Sequence, residues 1–423
     1  MNNTYLKCRI KYVLTNNVPL INIKGMKYIH RHIEAAIKNR ISSFPSLAIT
    51  GPRQSGKSTL LINTLPDYQY VTLDDPLIRE QALTDPLFLL ESIGDKAIID
   101  EIQLAPQLLS YVKMQIDSNR KKKGRFVFTG SQQFTMIKNL GDSLAGRIAL
   151  LDLLPFSVAE KKTALSLPGT LDCFIHACLR GSYPEPVTDN SIDMGAWYGA
   201  YVQTYLERDI RSLYNIGNLR DFQRFLQLLA GRCAQILNVS SLAKALGVSV
   251  PTLKNWLSIL EASRIVYLLP PYYNNMGKRV TKAPKLYFLD CGLVCYLTGI
   301  KDKDHLIKGP MAGALFENFC IQETVKLYFN KGERAPLYYM RTNNGLEIDL
   351  LIERSFKTFI PVEIKLQKTP HVSMGSSILR FKKLFSDFSV TDGIIISLTD
   401  KSVPLHTDVS ALPFEEYLRK IAV

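Results

Sequence analysis

The 423-residue chain reads as an α/β protein: a parallel sheet wrapped by helices, a helical stretch, a helix-turn-helix unit, and a second α/β domain. Three observations predict it. From Ser46 to about Leu153, short apolar runs alternate with helical segments, the pattern of strands joined by crossover helices. From 155 to 235 the strand pattern is lost. Beyond Pro284 it returns, mixed with helix. The expected divisions are 1–25, 26–154, 155–235, 236–283 and 284–423.

Residues 1–25 form an extension without a clear period, and Met26 opens a helical stretch through about Arg40. Leu47–Thr50, Tyr70–Leu73, Ala97–Asp100, Arg125–Thr129 and Arg147–Leu151 are the strands of the first sheet, which its crossovers must cover on both faces. The helices of 155–235, read as a lid or linker, break at Pro168-Gly169 and at Gly181-Ser-Tyr-Pro-Glu-Pro186. Val239–Leu246 reads as a helix begun by a serine cap, and Gly247-Val-Ser supplies a turn. Pro251–Glu261 is a second helix burying Leu253, Trp256, Leu257 and Leu260. Ile265–Tyr272 supplies wing strands. Strands are expected near 337–341, 347–353, 359–366 and 391–397.

Composition narrows the class. Hydrophobic residues make up 46% and charged residues 21%, enough apolar surface for a core, which argues against disorder. No apolar run is long enough to span a bilayer, and the first twenty residues lack the apolar core of a secretory signal. The expectation is a cytoplasmic protein with no membrane partner. The seven cysteines are Cys8, Cys173, Cys178, Cys233, Cys291, Cys295 and Cys320. No two are spaced as C-x-x-C, so neither a disulfide framework nor a thiolate zinc site is implied, and packing explains Cys291 and Cys295. The net charge of +14 favours a polyanionic partner, nucleic acid first.

One motif carries chemistry outright. Gly51-Pro52-Arg53-Gln54-Ser55-Gly56-Lys57-Ser58, followed by Thr59, fits G-x-x-x-x-G-K-[ST] between an apolar strand and a helical run. Its glycines let the backbone wrap an anion, and the helix N-terminus points N–H groups at phosphate. Lys57 is assigned to the β/γ-phosphates of ATP and the Ser58 hydroxyl to Mg²⁺. Lys96-Ala-Ile-Ile-Asp100-Glu101 ends a strand in two carboxylates: Asp100 to hold Mg²⁺ through water, Glu101 to polarise the attacking water. Thr129 and Ser131, at the next strand end, are both candidates to sense the γ-phosphate, with a plain turn residue as the alternative for one of them. Arg147 has two readings: an arginine acting in trans within a homo-oligomer, or a structural ion pair.

These residues resemble the AAA+ superfamily. More narrowly, several stretches are similar to a bacterial and archaeal ATP-binding family in which an AAA-type module is fused to a C-terminal domain of long-unassigned function. They are Tyr28-Ile-His-Arg-His, Gly51-Pro-Arg-Gln, Ile99-Asp-Glu-Ile-Gln103, Thr129-Gly-Ser-Gln132, Ser143-Leu-Ala-Gly-Arg147, Pro155-Phe-Ser157, Gly181-Ser-Tyr-Pro-Glu-Pro186 and Tyr205-Leu-Glu-Arg-Asp-Ile210. Residues 1–25 lie upstream of where that family usually starts, which makes Met26 a candidate start. Arg180 stands where the family often has a small residue.

Two further units are read on their residues. The spacing of 236–283 fits a winged helix-turn-helix with Thr252, Lys254, Asn255 and Ser258 facing outward; it serves either as a DNA reader or as a docking module within the ATPase. In the tail, Glu317 lies in a helical pattern, Asp349 on an alternating strand, and Glu363 and Lys365 on one face of another strand. Helix, hairpin and E-x-K strand resemble the PD-(D/E)XK nuclease-like core. That resemblance implies Asp349 and Glu363 sharing Mg²⁺, Glu317 as a further ligand, and Lys365 orienting water or offsetting developing charge. The expected function is an ATPase coupled to DNA binding or processing. The alternative is a nucleotide switch that binds DNA or protein with an inactive nuclease-like domain.

Overall fold

The computed structural model describes residues 28–130, 144–204, 219–272, 283–342 and 345–422. They divide into two compact units, one ending at Pro155 and including Phe329–Gly332, the other formed by the rest.

In the first unit α1 (Glu34–Ser43) precedes β1 (Ser46–Thr50), α2 (Lys57–Thr64), β2 (Gln69–Thr72), α3 (Pro76–Thr84), α4 (Pro86–Ile93), β3 (Ala97–Asp100), α5 (Leu108–Ser118), β4 (Phe126–Thr129) and β5 (Ile148–Asp152). The five strands are all parallel, in the order β2-β3-β4-β1-β5. Period 2 sorts their side chains. Ala48, Ile99, Phe126 and Phe128 enter one buried cluster, and Leu47, Ile49, Ile98 and Val127 the other. The first helix of the described residues starts at Glu34, and Met26 lies outside them. The Glu34 carboxylate accepts from the Tyr28 hydroxyl and the Arg31 amide, each at 2.8 Å, and 28–31 stay non-helical to make those bonds.

The second unit opens with α6 (Val158–Lys161), α7 (Thr170–Leu179), α8 (Pro184–Thr188), α9 (Met194–Thr204) and α10 (Leu219–Ala230). Then come α11 (Val239–Leu246), α12 (Val250–Ala262) and the antiparallel pair β6 (Val266–Leu269) and β7 (Lys285–Phe288). Asn238, not a serine, caps α11, its carboxamide accepting from the Ser241 amide at 2.9 Å. Leu253, Trp256, Leu257 and Leu260 are buried on α12, while Lys254, Asn255 and Ser258 are exposed. Thr252 is only half-exposed and hydrogen-bonds Ser249. The partner of β6 is β7, from the stretch read as the start of the C-terminal domain, and not a strand within 265–272.

The unit continues with α13 (Cys291–Thr298), α14 (Lys303–Lys308), α15 (Ala312–Asn330), β8 (Leu337–Arg341), β9 (Glu347–Ser355), β10 (Thr358–Ile364) and α16 (Ser376–Leu384). It closes with β11 (Ser389–Val390), β12 (Gly393–Ser397), β13 (Val403–His406), β14 (Val409–Pro413) and α17 (Phe414–Ala422). β8, β9 and β10 form an antiparallel meander, and β12 lies parallel to β10. β14 then pairs parallel to β12, with β13 outermost. Cys291 and Cys295 are free and buried on α13, as packing requires. Among the described residues no helix is long and apolar enough to cross a membrane.

Candidate functional site

In the first unit the loop 51–56 joins β1 to α2. Gly51 has φ +141°, and a Cβ there would sit 2.1 Å from the Leu153 carbonyl oxygen, so only glycine fits. Gly56 caps α2 in the left-handed region. Pro52, Arg53 and Gln54 form the outer turn of the loop, and Thr59 lies in the first turn of α2. The Lys57 ammonium donates to the carbonyls of Gly51 (3.1 Å) and Pro52 (3.0 Å). Ser55 is fully buried, with no hydrogen-bond partner for its hydroxyl among the described residues.

Asp100, at the end of β3, is the hub. Its Oδ2 accepts from the Ser58 hydroxyl at 2.7 Å and from the Tyr70 hydroxyl. Its Oδ1 accepts from the Thr129 hydroxyl and from the Glu101 amide at 3.1 Å. Parallel register brings these together, because β1 pairs Ile49 with Thr129 and β2 pairs Thr72 with Asp100. Burial, with the Asp100 carboxylate beside it, pushes the Tyr70 phenol above its ordinary range. Glu101 has φ +56°, a strained value for a residue with a Cβ. Burial raises its carboxyl above the usual range, against the pull of the Lys57 ammonium and with help from Asp100. Its carboxylate accepts from the Gln103 side-chain carboxamide.

Two residues outside the motif complete the picture. The Arg31 guanidinium, 5% exposed, donates to the Ser55 carbonyl at 3.1 Å and the Leu154 carbonyl at 2.6 Å, tying the chain before α1 to the loop. Sequence reasoning noticed the stretch around Arg31 but gave it no task. It read Tyr70 only as a strand residue. Arg147 forms a two-point pair with Asp117 of α5, at 2.8 and 3.0 Å, and that hydrogen bonding holds the Asp117 carboxyl down to about 2. The Arg180 Nη1 and Nη2 groups donate to the carbonyls of Pro186, Asp189 and Ile192, a local structural task. Ser131 lies outside the described residues.

The second unit gathers the four tail residues. Lys365 donates to Glu363 at 2.7 Å and stands 3.7 Å from Asp349, whose Oδ2 also accepts the Ile364 amide at 3.0 Å. Glu317, on α15, faces Asp349 across a lysine that sequence reasoning missed. Lys285 lies 2.8 Å from Glu347, 3.3 Å from Glu317 and 3.7 Å from Asp349. The Tyr287 hydroxyl donates to Glu317 at 2.6 Å. Lys285 and Tyr287 share one face of β7, the only sequence-level hint available. Asn318 fixes the register: fully buried, it bonds the Phe288 amide (2.7 Å) and carbonyl (3.0 Å), holding α15 against β7. Burial and the charge of Asp349 push the Glu317 and Glu363 carboxyls up to about 7, against the pull of Lys285 and Lys365 respectively. Burial opposes the charge on Lys285, but its carboxylates outweigh that and raise it.

Comparison with known proteins assigns the stretches. Residues 43–161 match the family described as "AAA domain". Residues 172–304 match "Domain of unknown function (DUF8612)" and 312–417 match "Domain of unknown function (DUF4143)". Uncharacterized proteins of Mycobacterium bovis and Mycobacterium tuberculosis are each 29% identical over 405 residues, 95% of this chain and 87% of theirs. Among solved structures, the Walker-type ATPase of Pyrococcus abyssi is similar at 15% identity and a TM-score of 0.42, over 63% of this chain and 94% of that one. Residues 43–161 thus match an AAA domain, and the two stretches after it match domains of unknown function.

Proposed function

We propose that the protein is a Mg²⁺-dependent AAA-type ATPase whose nucleotide cycle governs the engagement of DNA by its second unit. The observation that carries this is the Ser58–Asp100 hydrogen bond at the head of the phosphate loop. It supplies hydroxyl and carboxylate oxygens, the donors a hard cation takes, and the Gly51 backbone leaves room where a side chain would intrude. Ser58 and Asp100 would hold Mg²⁺, which when bound neutralises charge on the phosphates. Thr129 and Tyr70 orient Asp100. Lys57 supplies the fixed cation of the loop, and Glu101, lifted by burial, takes the proton of the attacking water.

The DNA part rests on the charge of +14 and on the second unit. The succession α10, α11, α12 and an antiparallel strand pair supports the winged-helix reading, with Lys254, Asn255 and Ser258 exposed. The succession α15, β8, β9, β10, α16, β12 and the meeting of Glu317, Asp349, Glu363 and Lys365 support a nuclease-like ancestry. One observation favours the second reading, a nucleotide switch whose tail binds without cutting: Lys285 stands among the carboxylates. The Arg147–Asp117 pair supports the structural alternative for Arg147 over action in trans within a homo-oligomer. The test is ATP hydrolysis by the full chain with and without duplex and single-stranded DNA, beside a Mg²⁺-dependent plasmid-nicking assay. Stimulation by DNA is expected. Hydrolysis indifferent to every DNA form removes DNA from the proposal, and nicking that Asp349→Ala abolishes restores the processing reading.

A further inference from the structure

We infer that the Lys285 ammonium is the resident cation of the face formed by Glu317, Glu347 and Asp349, and that this face holds no divalent metal while Lys285 is in place. The inference deepens the reading of the tail as a nuclease-like site that binds without cutting, and rests on it.

The argument is one of charge and volume. Lys285 is 4% exposed, and its ammonium lies within 3.7 Å of three carboxylates carried by two different elements, α15 and β9. A divalent ion serving those carboxylates would need their oxygens at roughly 2.1 Å. That volume is already filled by a group of the same sign. The lysine is not a loose side chain that has folded in. Its backbone is in the β6–β7 ladder, and Ile236 bridges it from the other side. Asn318 locks Phe288 of the same strand to α15, one residue from Glu317. The Lys285 ammonium lies 5.7 Å from the centre of the Tyr339 ring. Asp349, the residue any shared metal would need, is engaged on both oxygens: Oδ1 faces Lys285, and Oδ2 faces Lys365 and accepts the Ile364 amide. Among the described residues no group of three or more His, Cys, Asp or Glu is arranged to hold a metal ion. Arg341, 3.8 Å from Glu347, adds a further positive charge at the rim.

The test counts Mn²⁺ bound to the full-length, nucleotide-free protein by the EPR signal of free ion. The wild type, Asp349→Asn, Lys285→Ala and Lys285→Ala/Asp349→Asn are compared. The expected result is equal Mn²⁺ binding by the wild type and Asp349→Asn, one additional ion per chain in Lys285→Ala, and loss of that ion in the double variant. Every variant keeps Ser58 and Asp100, so Mn²⁺ held there is a common background. Two results overturn the inference: wild-type binding that falls in Asp349→Asn, or a folded Lys285→Ala that gains no ion. Should Lys285→Ala not fold, Lys285→Met, which keeps an unbranched side chain and removes the charge, replaces it. The wild-type comparison with Asp349→Asn needs neither. DNA stimulation of ATP hydrolysis is measured on the same wild-type preparation. Its absence sinks the DNA reading and leaves the metal result to be judged alone.

Discussion

Thr129→Val isolates the orientation of Asp100. The substitution keeps the branched shape of a fully buried side chain at the end of β4 and removes only the hydroxyl that donates to Asp100 Oδ1. A hydrogen bond to a charged group contributes about 1.5–3 kcal/mol. Here that is an upper bound, because Asp100 keeps Ser58, Tyr70 and the Glu101 amide as donors. Removing a partner that orients a metal-holding group typically weakens metal affinity or activity by ~10–100-fold. Thr129→Val is therefore expected to raise the Mg²⁺ concentration for half-maximal ATP hydrolysis by roughly ten-fold or more, while ATP binding measured without Mg²⁺ changes little. The assay is a Mg²⁺ titration of hydrolysis at saturating ATP, with a thermal melt to confirm folding. Tyr70→Phe, which removes the Oδ2 donor, should move the same midpoint in the same direction. An unchanged midpoint in both variants would refute the idea that these hydroxyls set the carboxylate.

Four further outcomes are expected. Lys57→Ala should lose ATP binding, and near-normal affinity in a nucleotide titration would displace the site. Glu101→Gln should keep ATP bound yet slow turnover by ~10²–10⁴-fold, the usual contribution of a positioned acid or base; unaltered turnover would place the base elsewhere. Arg147→Ala should keep most of its hydrolysis and gain none on mixing with Lys57→Ala, and wild-type turnover per chain should not depend on concentration, because Arg147 is occupied with Asp117. Recovery on mixing would establish action in trans. Finally, burial and the charge of Asp349 push the Glu317 and Glu363 carboxyls up to about 7 from an ordinary 4.5. A raised carboxyl pKa stabilises the fold below the unfolded value, and that stability is lost as pH rises through the folded one. Melting temperature should therefore fall between about pH 4.5 and 7, with a shallower slope in Glu317→Gln and Glu363→Gln. A slope unaffected by either substitution would show that these groups do not carry it.

The phosphate loop and the sheet around it were legible because their demands are local. A backbone that wraps an anion needs glycine where φ is positive, and Gly51 and Gly56 occur at the required spacing. The five short apolar runs between helical segments marked each parallel strand to within a residue or two. Period 2 likewise placed Glu363 and Lys365 together, and β9 and β10 kept Asp349 beside them. Capping was less legible: Asn238 sets the start of α11 through a single side-chain bond that no pattern announces.

What the tertiary structure decided is which distant groups meet. Arg31 reaches Leu154 across 123 residues, and Arg147 finds Asp117 across 30. Lys285 is in line with this. Read alone, Lys285-Leu-Tyr-Phe288 is a short strand beginning with a charge, and such a lysine normally faces solvent. Only the pairing of β7 with β6 and the Asn318 clasp to α15 turn it inward, among carboxylates 32 to 64 positions further along the chain. The reason is physical: strand period and turn chemistry act over a few residues, whereas the partner of a buried charge is set by which backbones the packed core brings within a few ångströms.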